Sequence, residues 1–309
     1  MLANIILFLC IFIIYTHLLD EWKMQDKLEL FETDYTDYDD FQQISRMKQP
    51  FVCNYKEIVS ELWESNLDLS LIDEWNVINN ENELKVHYNT LDLVLEKKYI
   101  SFHNQEVIRN SSLLDRLLKN DEYLQPHLNY NAHYDILMGS ANNKTTGQYH
   151  VYSRQYIVNY YGEVTIRLLP WKYIKEVSVK YSPFHFYTNT NLWNNKDNCI
   201  ELKLQPGELL YIPPYWWYSY EFNTQSCLLS FSYQTFANNI VNLPHYIKQF
   251  IQTYTTEPAY SVKSIDKDEE KDDEEKDDEE KDDEEKDDEE KDDEEKDDEE
   301  KDDEEKEQN

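Results

Sequence analysis

Residues Leu204–Phe222 read LQPGELLYIPPYWWYSYEF, and this stretch decides the fold. One apolar run ends at Leu204, Pro206-Gly207 supplies a tight turn, and a second run ends at the double proline Pro213-Pro214. Two tryptophans follow at once. The upstream chain has the same character from about residue 132. Short β-type runs (YDILMGS, QYHVYSRQYIVNYY, EVTIRLLPW, CIELKL, then SCLLSFSYQTF) are divided by turn signals at Gly139, Gly162 and Pro206-Gly207. That spacing predicts an antiparallel sandwich or barrel of jelly-roll type.

Residues from about 20 to 130 read as mixed and partly helical, with apolar residues at helical spacing in NYKEIVSELWES and SSLLDRLLKNDEYL. LPHYIKQFIQTY, Leu243 to Tyr254, reads as a closing helix. The expected class is α+β, mainly β. The expected division is an apolar anchor over 1–20, one large domain over 21–255, and a tail over 256–309.

The amino terminus, MLANIILFLCIFIIYTHLLDEW, has no charged side chain between Leu2 and Leu19. A bilayer core of roughly 30 Å takes about 20 helical residues, and about 17 is the lower limit. Every face is apolar, which argues against a buried core helix. No basic residue precedes the apolar block and no small-x-small site follows it, which favours an uncleaved anchor over a signal peptide. The expectation is a single-pass membrane protein anchored through residues 2–19. The mixed charges that follow Leu19 leave the side of the domain open.

The carboxyl terminus repeats KDDEE seven times from Lys271 to Glu305. Residues 266–309 hold 33 acidic and 9 basic side chains, so −24 of the net −34 sits there and only −10 in the first 265 residues. A net −3 per repeat opposes compaction and no apolar residue seeds a core, so disorder is expected. Such a tail would bind basic proteins or cations weakly. No basic patch with interleaved aromatics stands out, which excludes nucleic acid as the expected partner. Cys10, Cys53, Cys199 and Cys227 are scattered and form no disulfide framework. The chain has no nucleophile elbow, P-loop, zinc spacing or H-E-x-x-H. The Tyr, Asn, Ile and Lys content would fit an AT-rich genome such as that of a large DNA virus.

GQYHVYSRQYIVNYYGEVTIRLLPW (147–171) followed by IELKLQPGELLYIPPYWWYSYEF (200–222) resembles the cupin-like branch of the JmjC hydroxylases. DFQQISRMKQPFVC and SFHNQEVI…LLDRLL are similar to that family's leading segment and helical insert, so the likeness covers roughly residues 40–240. The resemblance implies a double-stranded β-helix built to hold Fe(II) and 2-oxoglutarate. In an intact member two His and one carboxylate take one face of the iron. A Lys pairs with the far carboxylate of 2-oxoglutarate, and a Thr assists.

Setting Gly162 against the family glycine puts Thr146 at the threonine, which matches. The same register puts Tyr149 at the first His, Val151 at the Asp, Val164 at the lysine and Tyr218 at the distal His. Val offers neither a metal nor a carboxylate any bond. Two alternatives stand beside that register. A one-residue slip brings in His150, which would need a bulge to point inward. His133-Tyr134-Asp135 is a true H-x-D, with both side chains on one strand face, but it lies 29 residues before Gly162. The expected protein is therefore a membrane-anchored cupin/JmjC-like pseudoenzyme with no cofactor, binding a protein partner at a Tyr-rich mouth (Tyr149, Tyr152, Tyr218, Tyr220). The alternatives are an Fe(II)/2-oxoglutarate hydroxylase using His133, Asp135 or His150, and an interaction protein acting through anchor and tail.

Overall fold

The strand Ser226–Thr235 is buried along its whole length, because something packs on each of its faces. Cys227, Leu229, Phe231 and Tyr233 point into one apolar core, while Leu228 belongs to another. With a side-chain period of 2, Ser226, Ser230, Ser232 and Gln234 share the face of Leu228. In the computed structural model, residues 2–64, 67–71, 74–79, 82–87, 99–173, 179–182, 185–188, 192 and 198–255 are described. The expected disorder of the acidic tail concerns residues outside them.

The chain is mixed α and β, with its strands in two sheets. In chain order the strands are β1 (Phe31–Glu32), β2 (Phe51–Asn54), β3 (Glu74–Asn79), β4 (Asn82–His87), β5 (Ile100–Ser101), β6 (Asn129–Gly139), β7 (Asn143–Lys144) and β8 (Gly147–His150). They continue with β9 (Arg154–Tyr161), β10 (Val164–Leu169), β11 (Val179–Ser182), β12 (His185–Thr188), β13 (Ile200–Leu204), β14 (Glu208–Ile212), β15 (Trp217–Phe222) and β16 (Ser226–Thr235). The first sheet runs β1-β2-β14-β9-β16-β6-β5-β3-β4 and the second β11-β12-β8-β15-β10-β13, with β7 beside β15. All pairings are antiparallel except β1 with β2.

The two sheets pack face to face. Leu137, Ile157, Leu210, Ile212 and Leu228 of the first meet Val164, Ile166, Leu168, Tyr220 and Phe222 of the second. At Gly139 the contact is close enough that a Cβ would stand 2.2 Å from the Phe222 ring. The outer face of the first sheet (Tyr156, Val158, Leu229, Phe231) is covered by Phe41 of helix Tyr38–Arg46, by Ile108, and by Leu113, Leu117 and Leu124 of the short helices that follow. SSLLDRLLKNDEYL forms two short helices, Leu113–Leu118 and Asp121–Leu124, and the closing helix expected over Leu243–Tyr254 is Leu243–Thr255. Among the described residues NYKEIVSELWES forms the single helical turn Glu61–Glu64, and strands β2 to β5 run through the region read as partly helical. Those strands are short, so their apolar residues never complete a period that separates strand from helix.

Leu2–Trp22 is one helix of 21 residues. Its span Ala3–Trp22 has mean hydropathy 2.0, long and apolar enough to cross a membrane. The last turn is built into the domain. Glu21 is buried, and its Oε1 accepts from Ser153 Oγ (2.7 Å) and Thr235 Oγ1 (2.8 Å). Lys48, also buried, donates through Nζ to the carbonyls of Asp20 (2.6 Å) and Glu21 (2.8 Å) and sits 3.5 Å from Glu21 Oε2. A cation on the free carbonyls of a helix C-terminus satisfies acceptors that have no intrahelical partner. The chain then stays on the domain: Trp216 Nε1 donates to Gln25 O (2.9 Å) and Gln49 Nε2 to Lys27 O (3.0 Å).

Breaking a buried ion pair by removing one partner costs about 3–5 kcal/mol. Lys48→Met leaves Glu21 with Arg154 as its remaining cation. We expect a loss at the lower end, about 3 kcal/mol, read as a drop in the unfolding midpoint of the detergent-solubilised chain.

Candidate functional site at the mouth of the sheet interior

Strand register settles which side chains face the space between the sheets. Tyr218 of β15 is paired with Gln148 of β8, and Tyr218 and Tyr220 lie in the inter-sheet core. Paired residues share a face, so Gln148 and His150 point inward with Tyr218. Ser232 is paired with His133 and Ser230 with Asp135, and β16 turns these serines inward, so His133 and Asp135 also face the interior. The result is an aromatic and polar cluster at one end of the inter-sheet space. Ring centroids are 5.5 Å apart for His133 and Tyr152, 5.7 Å for Tyr152 and His150, 6.1 Å for His150 and Tyr218, and 5.6 Å for Tyr218 and Tyr220.

Tyr149 and Val151 lie on the opposite face. Tyr149 stacks on Phe186 (4.6 Å, 11°) and meets Trp217 edge-on (4.7 Å). Val151 packs with Phe186 and Tyr215. The register drawn from Gly162 is thus one residue away from the interior at β8. His150 points inward by ordinary strand alternation, and no bulge is needed. Gly162 serves its own turn at φ +91°, where a Cβ would stand 2.2 Å from Ser226 Oγ. Thr146 is exposed just before β8; its neighbour Thr145 bonds into β15, accepting from Tyr220 N (2.8 Å). Val164 faces the interior among apolar residues, with Leu204 and Phe222 as its strand partners. Trp216 is core, and Trp217 covers the outer face with Tyr149 and Leu169. The side chain of His185 lies outside the described residues.

His150 is fully buried and both ring nitrogens are engaged. Nε2 is 3.0 Å from Ile212 O, and Tyr152 N donates to Nδ1 (3.2 Å). A carbonyl only accepts and an amide N–H only donates, so the ring is the neutral Nε2–H tautomer. Burial pushes its pKa down to about 3. Asp135 is held by three backbone donors: His103 N on Oδ2 (2.9 Å), and Asn104 N (2.8 Å) and Ile136 N (2.9 Å) on Oδ1. Burial raises its pKa, against the opposing pull of His103 and those N–H groups. His133 has its pKa lowered by burial, and its Nε2 lies 3.0 Å from Asn131 Nδ2. The hydroxyls of Tyr218 and Tyr220 and Gln155 Oε1 are buried without a hydrogen bond among the described residues. Burial holds both phenols far above their usual range, so they stay protonated.

These residues do not fit Fe(II) with 2-oxoglutarate. Of the two inward imidazoles, His150 has both nitrogens on backbone and His133 has Nε2 on the Asn131 side chain, and the Asp135 carboxylate has both oxygens on backbone. At Val164 the described neighbours are apolar, and among the described residues no cation packs there to meet a 2-oxoglutarate carboxylate. Among the described residues no three His, Cys, Asp or Glu side chains gather as a metal-binding set. Compared with known proteins, the chain matches no family model and no curated sequence.

Reading β8 from Gly162 passed over Gln148, Gln155 and Ser230. The period-2 pattern of SCLLSFSYQT would have found Ser230, since Ser, Leu, Ser, Ser and Gln alternate there with Cys, Leu, Phe and Tyr. Glu21, Lys48, Ser153 and Thr235 carry no such signal, because they meet only through tertiary packing.

A histidine whose pKa is depressed on folding takes up its proton in the unfolded chain first. Stability from His150 is therefore complete above about pH 6.5 and declines as pH falls toward about 3. His133 acts in the same direction; Asp135, with a raised pKa, acts in the opposite one. His150→Gln should flatten the acid limb of unfolding free energy against pH by about one proton. Parallel curves for the two proteins would contradict a neutral buried His150.

Proposed function

We propose that this chain is a membrane-anchored domain of the cupin/JmjC-like double-stranded β-helix type whose iron and 2-oxoglutarate positions have become structural. It works as a binding or scaffold protein. One observation carries this reading: the inward-facing His150 and Asp135 spend their ligating atoms on backbone groups (Ile212 O and Tyr152 N; His103 N, Asn104 N and Ile136 N), with Tyr218 opposite. A metal would have to break bonds in a buried interior, where an orphaned backbone group costs about 1–3 kcal/mol.

The double-stranded β-helix is supported by the strand order. The path β6-β16-β9-β14 faces β8-β15-β10-β13, so the chain crosses between sheets at nearly every turn. An uncleaved anchor is supported by Glu21 and the Lys48 cap, since cleavage after the apolar block would sever the last helical turn, which holds these buried contacts, from the helix that shapes it.

The hydroxylase reading draws on the shared inward face of His133, Asp135 and His150. The two readings separate on the full-length protein in detergent micelles under anaerobic loading. The scaffold reading predicts no stoichiometric Fe(II) uptake and, after oxygen is admitted, no succinate from 2-oxoglutarate above the rate of a His133→Ala/His150→Gln variant. Stoichiometric iron together with succinate lost in that variant would establish the hydroxylase instead.

A further inference from the structure

The N-terminal helix runs beside the short helix Phe236–Val241. Between them lies a cleft of about 230 Å³, lined by Ile14 and Leu18 on one side, Phe236 and Ile240 on the other, and Leu128 at its edge. Phe236 is 67 % exposed, Leu128 60 % and Ile240 45 %. Phe236 and Ile240 stand one helical turn apart and share a face. Large apolar side chains grouped at this exposure mark a surface that something else covers.

Depth along the N-terminal helix says what covers it. Glu21 is fixed in the polar mouth of the domain by Ser153, Thr235 and Lys48. At about 1.5 Å per residue, Leu18 lies about 5 Å and Ile14 about 10 Å below Glu21 toward the apolar end. An amphipathic helix lying in a membrane surface buries its apolar face about 5–10 Å into the headgroup–acyl boundary. Phe236 and Ile240 flank a cleft whose lining runs along the helix from Glu21 and Asp20 to Leu18 and Ile14, which puts them within about 10 Å of the Glu21 level.

We propose that Phe236, Ile240 and Leu128 form a lipid-facing surface that seats the domain directly on the bilayer crossed by the N-terminal helix. The inference rests on the anchor reading above. Since Glu21 and Lys48 fix the helix to the domain, the seat is a rigid one and the mouth carrying Ser153 and Thr235 is turned toward the membrane. A second protein would see this surface only after lipid had been displaced from it.

The test is spin-label depth measurement on the full-length chain in phosphatidylcholine/phosphatidylglycerol vesicles. Cys53 and Cys227 are buried, with thiols pushed up to about 12, and stay unlabelled. Native Cys10, in a Cys199→Ser background, reports the middle of the anchor. Phe236→Cys, Ile240→Cys and Leu128→Cys, each with Cys10→Ser and Cys199→Ser, report the proposed surface. Lys203→Cys, exposed on β13, is the aqueous reference. The expected result is a ratio of oxygen to polar-relaxant accessibility several-fold above the Lys203 value at positions 236, 240 and 128, and highest at Cys10. A hydrocarbon-like Cys10 with water-like values at 236, 240 and 128 overturns the seat and leaves the anchor standing. A water-like Cys10 overturns the anchor, and the seat with it.

Discussion

Everything in this structure depends on a strand that never reaches solvent. β16 hydrogen-bonds to β6 on one side and β9 on the other over nearly its full length. It gives one face to the helices and the other to the second sheet. A buried backbone must satisfy every N–H and C=O, and a central antiparallel strand does so without help from side chains. That leaves the inward side chains free to vary in polarity. The apolar end of the inter-sheet space (Leu137, Leu204, Phe222) seals the fold, and the polar end can be specialised.

In this chain the polar end has been specialised for closure. His150 and Asp135 are bonded to the frame around them: His150 to Ile212 of β14 and to Tyr152, Asp135 to the loop entering the Gln105–Arg109 helix. Asn238 and Asn242, on successive turns, both donate to Val151 O at 3.0 Å, pinning the segment that leaves β8. Such contacts rigidify, since a buried polar network is stable only when its members are satisfied. Among the described residues Gln155 Oε1 lacks such a bond, as do the Tyr218 and Tyr220 hydroxyls. Both hydroxyls adjoin Asp135 electrostatically and mark where the interior is least settled.

Much of the architecture was legible in the residues. LQPGELLYIPP is the end of β13, a turn with Gly207 at φ +97°, and β14, as its composition states. The apolar N-terminus is a helix of membrane-spanning length. The site was less legible because a one-residue shift reverses every side chain of a strand. Anchoring on Gly162 carried β8 through a break at residues 151–153 that sequence does not show. His133-Tyr-Asp135 read as too far from the motif to matter, yet β6 lies next to β16 and brings both side chains inward. The docking of the N-terminal helix was invisible for a different reason. Glu21 looks like the first polar residue after an anchor, and only the folded chain brings Thr235, 214 positions away, to its carboxylate.

The account turns on His150 being a neutral structural imidazole. Ring ¹⁵N shifts of histidine-labelled, full-length protein test it most directly, recorded at neutral pH before and after addition of Fe(II) and 2-oxoglutarate without oxygen. The predicted result is an Nε2–H ring at His150 that keeps its resonances through the addition. Paramagnetic loss of the His150 and His133 resonances would contradict it and return both side chains to a metal.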